Sequence, residues 1–147
     1  MKKLVFVFLF ISSFVFSQKN FNLKKGFVAQ GYDVVEYFNN NAAKGSKKFI
    51  TTFEEVQFKF TSEKNVKIFK SNPLKYTPQY GGYCAYAIGK TGEKVSINPK
   101  TFEIRDGKLY LFYNTWGTNT LKLWIEEGAK ELQEKADQNW ERLQKGK

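Results

Sequence analysis

Val56, Phe58 and Phe60 alternate with Gln57 and Lys59, a period of two that predicts a strand with one buried face. Residues 49–53 also have strand composition, and Glu54-Glu55 sits between the two runs as the turn of a hairpin. The period then lengthens. Ser62 is placed to cap a helix over residues 63–71, because its hydroxyl oxygen can accept an orphan amide hydrogen of the first turn. Val66 and Phe69 share one face of that helix, Lys64, Lys67 and Lys70 look outward, and Asn72-Pro73 ends it. Further on, apolar and aromatic runs at residues 101–104 and 108–113 flank Arg105-Asp106-Gly107. An Asp-Gly pair in that setting predicts a second hairpin. Residues 94–97 read as a short strand. At the C-terminus, Leu121, Trp124, Ile125, Gly128, Leu132, Ala136, Trp140 and Leu143 recur at spacings of three and four. They predict one long helix, capped by Thr118 or Asn119, with an apolar stripe toward the core and Glu and Lys opposite.

Ahead of the first hairpin, residues 18–26 form a polar lead-in and Gly31-Tyr32-Asp33 is a turn signal. Asp33 can cap a short helix over residues 34–38, and residues 39–46, rich in Asn, Gly, Ala and Ser, read as a loop. Hairpins mixed with short and long helices predict an α+β fold.

The first residues change where this domain is expected to work. Met1-Lys2-Lys3 is basic, residues 4–16 are apolar apart from Ser12 and Ser13, and Val15-Phe16-Ser17 supplies a cleavage site. The pattern is that of a signal peptide over residues 1–17, followed by a single domain over residues 18–147. The apolar run is shorter than the roughly 20 residues of a spanning helix. The expectation is therefore an exported protein, periplasmic or secreted, with no transmembrane segment after signal cleavage.

The chain has 147 residues and a formal charge of +10, which falls to +8 when Lys2 and Lys3 leave with the leader. Export and the scarcity of arginine argue against nucleic acid as a partner, and the lysines, spread along the chain, read as a solvated surface. There is no histidine, which excludes a Ser-His-Asp or Cys-His site and the common His/Cys zinc sites within the chain. One cysteine excludes an internal disulfide, so stability rests on burial, for which ten of the fifteen Phe, those outside the leader, with eight Tyr and three Trp supply the area.

Four stretches carry a family resemblance. They are Gly31-Tyr32-Asp33-Val34-Val35-Glu36-Tyr37-Phe38; Phe58-Lys59-Phe60-Thr61-Ser62-Glu63-Lys64-Asn65; Asn72-Pro73-Leu74-Lys75-Tyr76; and Tyr80-Gly81-Gly82-Tyr83-Cys84-Ala85. Together with Asp106-Gly107-Lys108-Leu109-Tyr110-Leu111 and a late Ala-Asp-x-Asn-Trp at residues 136–140, they resemble the exported, single-domain branch of the YHS domain family. The resemblance implies a small treble-clef-related core of β-hairpins and a short helix, here with the long C-terminal helix added. Metal-binding members carry three cysteines, at positions that correspond here to Val35, Thr61 and Asn65. The resemblance thus implies the scaffold without the family's thiolate metal centre.

The candidate chemistry lies at residues 76–86, which hold the single cysteine, four of the tyrosines and a Gly-Gly pair. Cys84 has three readings: a buried structural thiol, a soft donor or pocket contact for a metal such as copper, or a reactive thiol. Tyr76, Tyr80, Tyr83 and Tyr86 are either aromatic core or the walls of a pocket. Gly81 and Gly82 permit a tight chain crossing or a ligand cradle. Asp33 is a cap or, with Glu36, an acid–base pair. The leading expectation is a non-catalytic binding module for a metal ion or small molecule. Its pocket would comprise Tyr80, Gly81, Gly82, Tyr83, Cys84 and Tyr86, closed by the turn-helix bearing Asp33 and Tyr37. The alternatives are a thiol-dependent redox protein or enzyme using Cys84, and an interaction protein that binds through its basic surface.

Overall fold

A computed structural model describes residues 20–146, so the leader and its cleavage site lie outside the described residues. Strands β1 (Leu23–Lys24) and β2 (Phe27–Val28) form a small antiparallel hairpin. Strand β2 then runs parallel to β4 (Val56–Phe60), which pairs antiparallel with β3 (Ser46–Phe53), giving the sheet order β1-β2-β4-β3. Glu54 and Glu55 both take positive φ, 51° and 68°, in the two-residue turn that suits the twist of such a hairpin. Between β2 and β3 the chain makes two 3-10 turns, Ala29–Gly31 and Glu36–Asn39. The second replaces the helix expected over residues 34–38. It starts late because the Asp33 carboxylate holds the Val35 and Glu36 amides in a turn of its own.

Helix α1 (Glu63–Ser71) has the predicted bounds, with the Ser62 hydroxyl accepting from the Asn65 amide at 3.1 Å. The short α2 (Pro73–Tyr76), a 3-10 turn (Gln79–Gly82) and α3 (Ala85–Lys90) follow. Helix α3 is unheralded in the sequence; it is short, and it is held by packing. Gly89 lies so close to α5 that a Cβ there would meet the Leu132 carbonyl oxygen at 2.6 Å. The second hairpin joins β5 (Asn98–Arg105) to β6 (Lys108–Phe112) through Asp106 and Gly107, at φ 50° and 70°. Residues 94–97 carry no strand ladder, contrary to the pattern reading. Their groups serve other elements, with the Val95 carbonyl accepting from the Cys84 amide and the Ile97 carbonyl from the Gln30 side chain.

A minimal hairpin of β7 (Asn114–Thr115) and β8 (Thr118–Asn119) leads into the C-terminal helices. The predicted single helix is two: α4 (Thr120–Glu127) and α5 (Ala129–Gln144), broken at Gly128 with φ 108° and ψ 88°. Asn119 is the cap, its carbonyl oxygen accepting from the Leu121 and Lys122 amides, whereas Thr118 belongs to β8. Ile125, counted in the apolar stripe, is 57% exposed, while its neighbour Trp124 is fully buried.

Strand β6 is buried on both faces. Leu109 and Leu111 join a core with Phe58, Phe60 and Phe69 from the sheet and α1, while Tyr110 and Phe112 join a second core with Trp124, Ile88 and Leu132 from the helices. The two-residue period of a strand sends alternate side chains into different layers. The fold is mixed α+β, with small sheets and a long C-terminal helix, and among the described residues no helix is long and apolar enough to cross a membrane.

Candidate functional site

Asp33 is fully buried and spent on structure. One carboxylate oxygen accepts from the Val35 and Glu36 amides at 2.9 and 3.3 Å; the other accepts from the Thr61 amide, the Thr61 hydroxyl and the Asn65 side chain at 2.8, 2.9 and 2.8 Å. Five donors satisfy a charge that burial alone would penalise. The same Asn65 amide group reaches Glu36 at 2.8 Å. That bond, followed by one from Asn41, holds the Glu36 carboxyl below the usual carboxylate range. Thr61 and Asn65, two of the three positions where the resemblance implied lost cysteines, therefore meet around a carboxylate with their hydrogens turned toward it. The third, Val35, lies in the apolar core. An Asp33–Glu36 acid–base pair does not fit this arrangement, since the lone pairs of Asp33 are occupied.

Tyr37 is buried against Phe102 and donates its hydroxyl to the Pro99 carbonyl at 2.6 Å. Burial pushes its phenol well above the usual range. It lies in the core.

Gly81 and Gly82 serve a tight crossing. The Asn22 amide donates to the Gly81 carbonyl at 2.8 Å and the Asn22 side chain to the Gly82 carbonyl at 3.1 Å. A Cβ at Gly81 would fall 1.9 Å from the Asn20 carbonyl oxygen, and Gly81 has φ +60°, so only glycine suits this position.

Cys84 is the residue just before α3 and is 0% exposed. Its sulfur accepts the Tyr113 amide at 3.3 Å and lies 3.3 Å from the Thr120 hydroxyl oxygen. The Thr120 hydroxyl spends its proton on the Tyr113 carbonyl at 2.6 Å, so the thiol donates to Thr120. Neither neighbour is a soft donor, and among the described residues no three of His, Cys, Asp and Glu come together to hold a metal ion. The donor set does not fit copper, and the sealed thiol offers no surface for a redox partner.

The tyrosines diverge. Tyr80 directs its hydroxyl to Asp137 at 2.8 Å, Tyr83 reaches the Phe21 carbonyl at 3.4 Å, and Tyr86, on α3, reaches Glu127 at 2.8 Å. The expected single pocket of Tyr80, Tyr83, Cys84 and Tyr86 is thus not formed. The chain turns into α3 at Cys84, and helical rotation carries the sulfur inward and the Tyr86 phenol toward the end of α4.

Two residues of that set, Tyr80 and Gly81, do line a cleft of about 580 Å³, with Phe21, Pro78, Asp137 and Trp140. The Tyr80 ring sits between Tyr110 and Trp140, at centroid distances of 5.9 and 6.2 Å. Burial first, and then the bond to Asp137, push its phenol far above the ordinary range, so Tyr80 keeps its proton. Glu141 also lines the cleft and is paired with Lys145 at 2.6 Å. Sequence reasoning missed Phe21, Asp137 and Trp140 as cleft residues. The signal lay in the Ala-Asp-x-Asn-Trp run: Ala136 packs beneath Gly89, Asp137 holds Tyr80, Asn139 donates to the Ile88 carbonyl at 2.7 Å, and Trp140 walls the cleft.

No protein-family model matches the chain, and neither a curated protein nor a solved structure matches it.

Proposed function

We propose that the chain is an exported, non-catalytic binding module on a YHS-like, treble-clef-related scaffold, and that its ligand is a small organic cation with an apolar body. The signal-peptide pattern supports export, and the motifs quoted above support the scaffold. The observation that carries the ligand class is the Tyr80–Asp137 pair on the wall of the aromatic cleft. In a strongly basic chain, this cleft combines three aromatic rings with a carboxylate oriented by a fixed phenol. Phe21, Tyr80 and Trp140 line the cleft, aromatic rings attract a cation, and Asp137 supplies the counter-charge. Non-catalytic action is supported by the chemistry of the groups at hand: Tyr80 holds its proton, Cys84 is sealed and Asp33 is consumed by its five donors.

Titration with phenethylamine and choline, followed by tryptophan fluorescence, tests this reading, with benzoate as the anionic counterpart. The cations give a saturable change that Trp140→Phe abolishes, and Asp137→Asn weakens binding by about tenfold, the equivalent of about 1.4 kcal/mol. A flat titration with both cations, or equal binding of benzoate, overturns it.

A further inference from the structure

The lysines that the sequence scatters are gathered by the fold. Lys24, Lys25, Lys44, Lys47 and Lys59 line one cleft of about 530 Å³, and no carboxylate lines it. The lysines come from four segments: the β1–β2 hairpin, the loop before β3, the start of β3 and the middle of β4.

Main-chain geometry fixes this gathering. The loop before β3 is clamped to the 3-10 turn by an isolated bridge between Tyr32 and Lys44 and by the Gly45 amide donating to the Gly31 carbonyl at 2.8 Å. Gly45 lies flat on β4, where a Cβ would come within 2.6 Å of the Lys59 main chain. That approach sets Lys44 and Lys47 beside Lys59. The β3–β4 register jumps between Ser46 and Ile50, so Lys47 belongs to a bulge and is freed from regular alternation. The β5–β6 register jumps likewise between Asn98 and Phe102, and Pro99 from that bulge forms part of the cleft wall. The Lys59 ammonium lies 4.1 Å from the centroid of the Phe27 ring. Gln30, anchored on the Ile97 carbonyl at 2.8 Å, turns its oxygen to within 3.5 Å of Lys24.

We propose that this cleft binds a compact polyanion, a small molecule carrying several phosphate, sulfate or carboxylate groups. Five ammonium groups on one concave surface repel one another, and a ligand with several negative charges converts that repulsion into attraction. Lysine ammoniums are point charges on flexible stems, suited to clustered anions of varied geometry, and the cleft has no guanidinium fork to demand a planar partner. The site is separate from the aromatic cleft and does not depend on it.

Calorimetric titration of the purified protein with tripolyphosphate and with citrate, at low and moderate salt, tests the proposal. Both probes bind saturably at low salt and weaken as salt rises, because a surface charge cluster is screened over a Debye length of about 10 Å at 0.1 M. Lys44→Gln/Lys47→Gln weakens binding by about tenfold or more, as does Lys59→Met, which keeps the apolar stem against Gly45. A control pair of equal charge loss outside the cleft, Lys70→Gln/Lys108→Gln, changes affinity by less than about twofold. Equal losses in the cleft and control pairs would mean diffuse attraction and overturn the site. So would the absence of saturable binding with both probes, or binding confined to a long acidic polymer such as polyglutamate.

Discussion

The aromatic cleft and the lysine cleft have nearly equal volumes, about 580 and 530 Å³, and are built in opposite ways. In the aromatic cleft the polar groups hold one another: Tyr80 bonds Asp137 and Lys145 pairs with Glu141. Its shape is set in advance, and its lining holds three carboxylates, on Glu54, Asp137 and Glu141, to one ammonium, on Lys145. In the lysine cleft the main chain does the holding, through Gly45, the Tyr32–Lys44 bridge and two strand bulges, and no carboxylate of the lining neutralises the ammoniums. The first is arranged to recognise by contact and orientation, the second by field. A singly charged ligand of the first should weaken modestly with salt and a polyanion of the second strongly, because screening grows with the number of charges engaged.

Three perturbations press on that contrast. The largest effect is expected at Asp33, which ties the turn beside Tyr32 to β4 and α1. Asp33→Ala takes the acceptor from Thr61 and Val35 and from one hydrogen of Asn65, and costs about 3–5 kcal/mol in chemical denaturation. Polyanion affinity falls with it, because the clamp of the lysine cleft loosens, while the aromatic cleft keeps its response. A loss below about 1 kcal/mol would show that the network does not hold the turn.

Gly81→Ala is the complementary cut. The new Cβ overlaps the Asn20 carbonyl at 1.9 Å and occupies a left-handed conformation, so the N-terminal segment is forced off and takes Phe21 out of the aromatic cleft. A melting experiment should register about 1–3 kcal/mol of destabilisation. Amine binding weakens and tripolyphosphate binding does not. Loss of both together would mean that the two clefts are one mechanical unit.

The third effect is absent at neutral pH and develops in alkali. Burial raises the phenols of Tyr80 and Tyr110; Tyr110 is pushed from 10.0 up to about 12. A phenol whose folded pKa exceeds its unfolded value contributes stability that is fully present below pH 10 and is lost as the pH climbs from there through about 12. Tyr110, the less raised of the two, ionises first, and because its ring packs on Tyr80 at a centroid distance of 5.9 Å the wall of the aromatic cleft loosens with it. Tyrosinate absorbance and the binding of choline, whose quaternary cation keeps its charge in alkali, followed together check this. A gradual, non-cooperative titration that begins near pH 10 would place these phenols in water.

Where a residue acts on its near neighbours, the sequence could be read. Ser62 caps α1 three residues on, and Glu54-Glu55 and Asp106-Gly107 take the positive φ that a two-residue hairpin needs. The limits of this reading appear where distance along the chain decides. The three-and-four spacing of Leu121, Trp124, Leu132 and Trp140 runs straight through Gly128, because a periodicity records faces and not the single residue at which an axis turns. Helix α3 escapes notice because six residues cannot sustain a helix in isolation; Gly89 against the Leu132 carbonyl and Asn139 on the Ile88 carbonyl hold it. The tyrosines looked like one site because they are close in sequence, yet Tyr80, Tyr83 and Tyr86 reach α5, the N-terminal segment and α4.

Composition alone settled which chemistries are absent: without histidine, and with one cysteine, no classical triad, common zinc site or internal disulfide can be assembled from this chain. Local pattern settled the two hairpins and α1. Tertiary structure decided the rest. It sealed Cys84 between Tyr113 and Thr120, turned Asp33 from a local cap into the hub of a network with Thr61 and Asn65, and drew five lysines from four segments into one cleft. The physical reason is range. Caps and turns are satisfied within a few residues, whereas burial, charge gathering and cleft walls depend on which distant segments are packed together.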